Sequence, residues 1–275
     1  MLAVGGSLAE SGGAQSEAVA YSFELKGDVD LAAKHELERA LEAAKKERAR
    51  LIILRLDTPG GSLTVTREMV STMLAASLPV VVYVAPDGAR AGSAGVFLTV
   101  ASDVAVMAPQ TNIGSASPLL IGPQGIVESR TLNRKILNDT AAYARTLAEG
   151  HGRNADLAER MVRRATNVTA GKARRERLVD LVAGSEAALL KRLDGFRVKG
   201  GKSQVLRTAG LRLVRADPSA SDDASASDDG PAAPGDGSLV FGLGPLGLIS
   251  IGMVAAMILL LAVQLVGLGS GRRST

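Results

Sequence analysis

The sequence contains no cysteine and no tryptophan, and only two of its 275 residues are histidine. The absence of cysteine excludes disulfides, thiolate zinc sites and a cysteine nucleophile. Because imidazole is the usual proton carrier near neutral pH, any histidine chemistry would have to use His35 or His151. Acid–base chemistry is therefore expected to draw on other side chains.

Aromatic residues are also scarce, at 3% of the chain, and positive and negative residues are interspersed around a net charge of +4. Nucleic-acid binding would require a basic stripe interleaved with stacking rings, and neither is present. The densest basic stretch, residues 163–177, is interpreted as a solvated helix face. We therefore expect no nucleic-acid partner, while 46% hydrophobic residues suffice for a substantial core.

Hydrophobic periodicity predicts strands that alternate with helices, which is typical of an α/β fold with a parallel sheet covered by helices. An amphipathic helix is predicted to carry Leu31, Leu37, Leu41 and Ala44 on one face. Residues 109–125 are expected to be irregular. The predicted strands are 19–25, 51–56, 80–84, 104–107 and 178–182, and the predicted helices are 30–48, 64–76, 92–101, 132–150, 156–164, 170–177 and 186–193.

Composition divides the chain into five segments. Residues 1–17 are interpreted as a disordered N-terminus or signal remnant, and residues 18–216 as the globular domain. Residues 217–238 form an acidic Ser/Pro/Ala linker that cannot bury enough apolar surface to fold. Residues 239–269 are predicted to form one transmembrane segment, since the apolar core 246–268 matches the length needed to cross a bilayer, and residues 270–275 form a basic tail.

The membrane orientation is left open by the sequence. Arg272 and Arg273 follow the apolar segment, and the positive-inside rule then places the globular domain outside the cytoplasm. No clear export signal precedes the domain, so a tail-anchored cytoplasmic domain stays as the alternative. A buried helix of a soluble domain is disfavoured because the segment follows a linker.

Three segments are candidates for chemistry. Pro59-Gly60-Gly61 is either an ordinary turn or a source of exposed N–H groups for an oxyanion. Ser93 precedes an apolar helix and is either a helix N-cap or a nucleophile, with the Ala94 N–H available to developing negative charge. Lys135 lies on a predicted helix, where a lysine is normally solvated, and could act as a base only if its pKa were lowered.

The runs LRLDTPGGSLTVTREMV, VVVYVAPDGARAGSAGVFLTVASDVAVMAPQTNIGSASP and NDTAAYARTLAEGHGRNADLAERMV carry a family resemblance over residues 18–210. They resemble the membrane-bound NfeD-type serine proteases, which are relatives of the Clp protease subunit and of signal peptide peptidase A. The resemblance implies a Clp/crotonase-like α/β fold, a superhelix of repeated β-β-α units. It also implies a homo-oligomer, a dimer or higher, and substrates with hydrophobic segments, among them stomatin-like membrane proteins.

The resemblance also implies the site residues. The family's nucleophile corresponds to Ser93 and its base to Lys135, and its oxyanion hole corresponds to the N–H groups of Gly60 or Gly61 and Ala94. Clp subunits use a Ser-His-Asp triad, but this chain has no histidine between His35 and His151, and His151 is expected at an exposed helix end. A Ser-Lys dyad is therefore the economical assignment, with no metal or cofactor required.

Asp57 is interpreted as a structural residue of the turn. Two other functions stay open: a catalytically inactive membrane scaffold that binds stomatin-like partners, and an acyl-CoA enzyme of the crotonase type. The scaffold is disfavoured because Ser93 and Lys135 are both present. The crotonase type is disfavoured because such enzymes have no serine nucleophile and seldom carry a membrane anchor.

Overall fold

The computed structural model describes residues 18–122, 125–126, 129–216 and 239–241. The strands are β1 (Val19–Lys26), β2 (Leu51–Asp57), β3 (Gly61–Ser62), β4 (Val80–Val84), β5 (Arg90–Gly92), β6 (Val104–Met107), β7 (Asn112–Gly114), β8 (Pro118–Gly122), β9 (Gly125–Ile126), β10 (Asn167–Thr169), β11 (Leu181–Val182), β12 (Arg212–Arg215) and β13 (Leu239–Phe241). The helices are α1 (Leu31–Lys46), α2 (Leu63–Ala75), α3 (Ala94–Ala101), α4 (Arg130–Gly150), α5 (Ala155–Arg163), α6 (Ala170–Arg175) and α7 (Glu186–Leu193).

The central element is a six-stranded parallel sheet in the order β11-β6-β4-β2-β1-β12. Its inner strands β4 and β6 are apolar throughout and every residue in them is buried. Parallel strands covered on both faces show such continuous apolar runs rather than an alternating pattern. The predicted α/β fold with a parallel sheet is confirmed.

Two smaller sheets lie beside the main one. The first has the order β10-β7-β5 and the second the order β3-β13-β8-β9. A long strand, a short strand and a helix follow one another in β2-β3-α2 and again in β4-β5-α3. β3 and β5 begin within a few residues of the carboxyl ends of β2 and β4, so the loops at that edge of the main sheet lead into the small sheets.

The predicted amphipathic helix is confirmed as α1, but one of its assigned core residues is wrong. Leu37, Leu41 and Ala44 are buried, whereas Leu31 is 60% exposed. Leu31 precedes Leu37 by six positions, which at 100° per residue turns it well away from the buried face. Ala33 and Ala40 complete that face instead.

The expectation that residues 109–125 are irregular is also wrong. They contain β7 and β8 and the first residue of β9. The strand β12, which the sequence pattern also does not predict, extends the main sheet beside β1. These strands are short and rich in glycine, proline or charged residues, so they lack the apolar alternation that indicates a strand. β7 and β12 pair with strands that are distant in sequence, whereas β8 and β9 also pair with each other.

No helix within the described ranges is long and apolar enough to cross a membrane. The predicted apolar span 246–268 lies outside the described residues, as do the N-terminal segment 1–17, the linker 217–238 and the basic tail 270–275. Residues 239–241, the first three of the predicted segment 239–269, form β13.

Candidate active site

The Gly-Gly turn follows β2 and leads directly into α2. Gly61 has φ 156°, and a Cβ at this position would lie 2.2 Å from the Val29 carbonyl oxygen. Gly60 has φ 138°, donates its N–H to Thr58 Oγ1 at 3.1 Å, and accepts from Val29 N at 2.7 Å. No residue with a side chain fits at Gly61, so the turn depends on glycine for its shape.

Backbone hydrogen bonds join this turn to the loop that carries Ser93. Thr58 N donates to Arg90 O at 2.9 Å, and Gly92 N donates to Thr58 O at 2.9 Å. A Cβ at Gly92 would lie 2.7 Å from Pro59 O, so the two backbones meet at a distance that only glycine permits. Asp57 accepts from Arg90 N at 3.1 Å, which makes it a structural residue of this junction, as interpreted.

Ser93 adopts φ 48° and ψ −106° at the residue before α3. Its side chain caps nothing, which excludes the N-cap alternative, while its N–H donates to Gly114 O at 3.0 Å. Ser93 is 1% exposed, and its Oγ has no hydrogen-bond partner among the described residues. A buried polar atom without a partner and a positive φ at a non-glycine residue are both costly, and both features concentrate at functional sites.

The candidate donors for the predicted oxyanion site are backbone N–H groups of α3 and of the Gly-Gly turn. Ala94 is the first residue of α3, where the helix leaves its N–H groups without intrahelical partners. On the turn, the Gly60 N–H is engaged by Thr58, which leaves Gly61 as the stronger candidate of the two glycines. The helix dipole of α3 adds partial positive charge beside Ser93.

Lys135 lies on the first part of α4, where residues 130–139 are exposed or half-buried and Thr140 is the first buried residue. Lys135 is exposed and does not hydrogen-bond to Ser93 Oγ. The single chain therefore does not bring the two predicted dyad members into contact.

The next part of α4 packs against α2, which follows the Gly-Gly turn, and against α3, which follows Ser93. Arg67 of α2 forms an ion pair with Asp139, and its guanidinium lies 4.2 Å from the centre of the Tyr143 ring. That ring stacks on Phe97 of α3 at 5.7 Å. Burial raises the pKa of the Tyr143 phenol. Asp139 is four residues after Lys135, so the anchored part of α4 begins one turn beyond the predicted base.

Neither histidine contacts Ser93 Oγ. His35 is exposed on α1. The expectation that His151 lies at an exposed helix end is wrong: it is 7% exposed, and its Nδ1 donates to Leu147 O at 2.9 Å. It is the C-cap residue of α4 and lies near Gly200. The sequence pattern does not predict that residues near Gly200 pack against this end of the helix. Burial lowers the pKa of the imidazole.

Sequence reasoning missed several residues that shape the site. Thr58 links the turn to the serine loop, Gly114 accepts from Ser93, and Arg67 with Tyr143 ties α4 to α2 and α3. Gly114 has φ 148°, and a Cβ at this position would lie 2.1 Å from Thr166 O. It belongs to the Thr-Asn-Ile-Gly-Ser run that contributes to the family resemblance, so it could have been singled out there. The other contacts join distant parts of the sequence.

Comparisons with known proteins support a family assignment. The membrane-bound protease PH1510 of Pyrococcus horikoshii is 33% identical over 183 residues, covering 66% of this chain and 41% of the relative. The membrane protein NfeD1b of Bacillus subtilis is 32% identical over 97 residues, covering 35% of this chain and 22% of the relative. The chain thus spans less than half the length of these relatives.

Solved structures of a protein named 1510-N, a membrane-bound stomatin-specific protease, share the fold. A lysine-to-alanine variant in complex with a substrate peptide has a TM-score of 0.69 at 30% identity, covering 74% of this chain and 93% of that one. A serine-to-alanine variant has a TM-score of 0.69 at 30% identity, covering 74% of this chain and 99% of that one. The family model described as the N-terminal domain of NfeD1b matches residues 19–210, and the chain belongs to this family.

Proposed function

We propose that the chain is a membrane-anchored serine endopeptidase in which Ser93 is the nucleophile and Lys135 the general base. The observation that carries the proposal is the state of Ser93: a strained, buried serine whose Oγ has no partner among the described residues, held between two backbone-linked loops. A structural serine would cap a helix or satisfy a neighbouring polar group. A nucleophile must instead keep its hydroxyl available for a base.

The proposed chemistry is acyl transfer through a Ser-Lys pair. Neutral Lys135 takes the Ser93 proton as Oγ attacks the peptide carbonyl, and the N–H groups of Gly61, or Gly60 after rearrangement, and of Ala94 bind the tetrahedral oxyanion. Protonated Lys135 then donates to the leaving amine, and water hydrolyses the acyl-enzyme. This sequence requires no cofactor, and we propose none.

For this chemistry the exposed amine of Lys135 must approach Ser93 and lose water. A lysine base requires desolvation or nearby positive charge to lower its pKa. The first part of α4 also carries Leu132, which is 41% exposed. We propose that a second copy of the chain, in a dimer or larger homo-oligomer, covers this part of α4 and closes it over Ser93.

The proposed substrates are hydrophobic peptide segments, including those of stomatin-like membrane proteins. Support comes from the relatives, since one is named membrane-bound and another is named as stomatin-specific. We also propose that the apolar residues 246–268 anchor the chain as a single pass, with the folded domain outside the cytoplasm, and that the domain forms a Clp/crotonase-type superhelix.

The test is cleavage of a quenched apolar peptide by the full-length chain in detergent micelles. Ser93→Ala and Lys135→Ala are each expected to reduce kcat/KM by at least about 100-fold. Lys172→Ala is the matched control, because Lys172 is also an exposed helical lysine, 51% exposed in its side chain and paired to Glu176 at 3.7 Å. The control is expected to cleave like the wild type.

Equal turnover by Lys135→Ala and Lys172→Ala would refute the dyad. If the wild type cleaves nothing but binds a stomatin-like partner, and Ser93→Ala binds it equally well, the inactive scaffold becomes the function. Circular dichroism spectra of all variants establish that a loss of turnover is not a loss of fold.

A further inference from the structure

The segment Leu239–Phe241 occupies a defined place in the fold. As β13 it pairs antiparallel with β3 through Val240 to Ser62 and Phe241 to Gly61. On its other side it pairs antiparallel with β8 through Leu239 to Leu120, Val240 to Leu119 and Phe241 to Pro118. A three-residue strand from the end of the linker therefore fills the gap between two elements of the globular domain.

One edge of this gap belongs to the candidate active site, and the other follows a site residue closely in sequence. β3 is the second half of the Gly-Gly turn, and Gly61 is the stronger oxyanion donor on that turn. β8 begins four residues after Gly114, which accepts the Ser93 N–H. An extended peptide added between two such strands gains main-chain hydrogen bonds on both sides, which is the general mode by which sheets capture peptides.

The register places one residue of the segment at the oxyanion turn. Phe241 is the partner of Gly61, so of the three residues of β13 it is the one at the level of the proposed oxyanion donor. Ser93 is 1% exposed in the same structure, so its Oγ is closed to solvent and to an incoming substrate. β13 occupies the gap between β3 and β8, and Ser93 is buried in the same structure.

We propose that residues 239–241 are a tethered competitor of the substrate: they occupy the peptide-binding gap between β3 and β8 and must leave before a substrate segment can enter. This inference rests on the proposed peptidase function, because a competitor requires a substrate. The occupant has the chemistry proposed for the substrate, since Leu-Val-Phe is an extended, uncharged, apolar tripeptide. A substrate is recognised, on this view, by displacing a segment that resembles it.

Tethering makes even a weak three-residue interaction effective. A covalently tethered segment is held at an effective concentration of about millimolar, so a free peptide must bind well enough to compete against it. The linker 217–238 precedes the segment and the apolar residues 246–268 follow it in the sequence.

The test uses the full-length chain with Val240→Pro. Val240 is the central residue of β13 and pairs on both sides, so proline removes a ladder hydrogen bond whichever side its N–H serves. Ala226→Pro is the matched control, because it places the same residue in the linker before the strand. Val240→Pro is expected to raise kcat/KM for the apolar peptide at least about tenfold, chiefly through a lower KM.

A second measurement does not depend on catalysis. In chains that also carry Ser93→Ala, binding of a fluorescent apolar peptide is followed by polarisation, and amide hydrogen exchange is followed at Gly61, Ser62, Leu119 and Leu120. Val240→Pro is expected to bind the peptide at least about tenfold more tightly and to lose exchange protection at those amides. Ala226→Pro is expected to match the parent chain in both.

The outcomes separate the two proposals. Equal affinity, equal protection and equal turnover for Val240→Pro and Ala226→Pro would overturn the tethered competitor while leaving the peptidase intact. Tighter peptide binding by Val240→Pro without turnover in any chain would support the competitor and contradict the peptidase.

Discussion

At the scale of single residues, Ser93 shows how a functional position departs from the preferences that govern the rest of the chain. Its φ of 48° is strained for any residue with a Cβ, and its buried Oγ has no partner among the described residues. The hydrogen bond from Ser93 N to Gly114 O and the close contact of Gly92 with Pro59 hold it there. The surrounding fold thus offsets a local energetic cost to present one hydroxyl.

The strain at Ser93 predicts an order of stability between two inactive variants. Ser93→Gly removes the Cβ and relieves backbone strain of about 1–3 kcal/mol, against an entropic cost for glycine of about 0.5–1 kcal/mol. Ser93→Ala removes the hydroxyl but keeps the strain. The glycine variant is therefore expected to have a free energy of unfolding about 1 kcal/mol higher than the alanine variant, measured by urea denaturation of both. A less stable glycine variant would show that the conformation is not strained.

His151 gives a prediction about pH. Burial holds the pKa of its imidazole in the folded chain below the ordinary value, which applies to the unfolded chain. At a pH between these two pKa values, the unfolded chain therefore binds more protons than the folded chain. Stability from this residue is thus present above pH 6.5 and is lost as the pH falls below it. The difference in unfolding free energy between wild type and His151→Gln is expected to shrink from about pH 7.5 to about pH 5. A difference that stays constant over this pH range would contradict the account.

At the scale of elements, α3 is fixed at both ends. Ser93 and Gly114 hold its beginning, and the Arg153 guanidinium donates to the carbonyls of Val100 and Ser102 at its end, both at 2.8 Å. Arg153 also pairs with Asp180 at 2.6 Å, with only 2% of its side chain exposed. A buried cation that satisfies a helix end and a carboxylate cannot be removed without leaving several groups unpaired.

Removal of this clamp is expected to be costly. Arg153→Met removes the cation that pairs with the largely buried Asp180 carboxylate, which keeps the Ala105 N–H as a donor, and it removes the donor to two carbonyls. It should lower the free energy of unfolding by about 3–5 kcal/mol. Arg160→Met is the control, because Arg160 forms an exposed ion pair with Glu176 at 3.6 Å and should cost less than about 1 kcal/mol. Equal losses for the two variants in guanidinium denaturation would contradict the clamp.

The contact between α2 and α4 bears on the placement of Lys135. Asp139→Asn weakens the ion pair with Arg67 one turn beyond the proposed base. Since misplacement of a catalytic group by about 1 Å can cost about 100-fold, kcat is expected to fall by roughly tenfold with little change in KM. Stability should change by less than about 1 kcal/mol, because the Asp139 side chain is 70% exposed.

The control for this contact is Asp156→Asn, which alters an ion pair with Arg145, a residue of the same helix α4 that lies away from Lys135. It is expected to leave kcat unchanged. A rise in KM with unchanged kcat in Asp139→Asn would mean that the contact serves substrate binding and does not position the base.

At the scale of the whole molecule, the sequence predicts the elements with long apolar runs and leaves out those defined by distant pairing. The strands β2, β4 and β6 and the helices α1, α2 and α4 lie close to the predicted bounds, because periodicity and caps are local properties. The short strands β7 and β12 pair only with residues far apart in sequence, and β8 also pairs with the distant β13. Local patterns do not contain that information.

The candidate site divides in the same way. The Gly-Gly turn and Ser93 could be singled out from their local sequence, because each follows a predicted strand and precedes a predicted helix. In the structure, backbone hydrogen bonds join the turn to the loop that carries Ser93. The exposure of Lys135 and the burial of His151 are not predictable, because burial depends on what packs against a residue. The assignment of Lys135 as base stays a prediction.

The most direct measurement is mass-spectrometric mapping of the residue that a fluorophosphonate modifies in the full-length chain. An activated serine displaces fluoride and forms a stable phosphonyl ester on Oγ. We expect one adduct, on the peptide that contains Ser93, formed at least about 100-fold more slowly in Lys135→Ala and at the wild-type rate in Lys172→Ala. An adduct on another residue, or equal rates in the two lysine variants, would contradict the account.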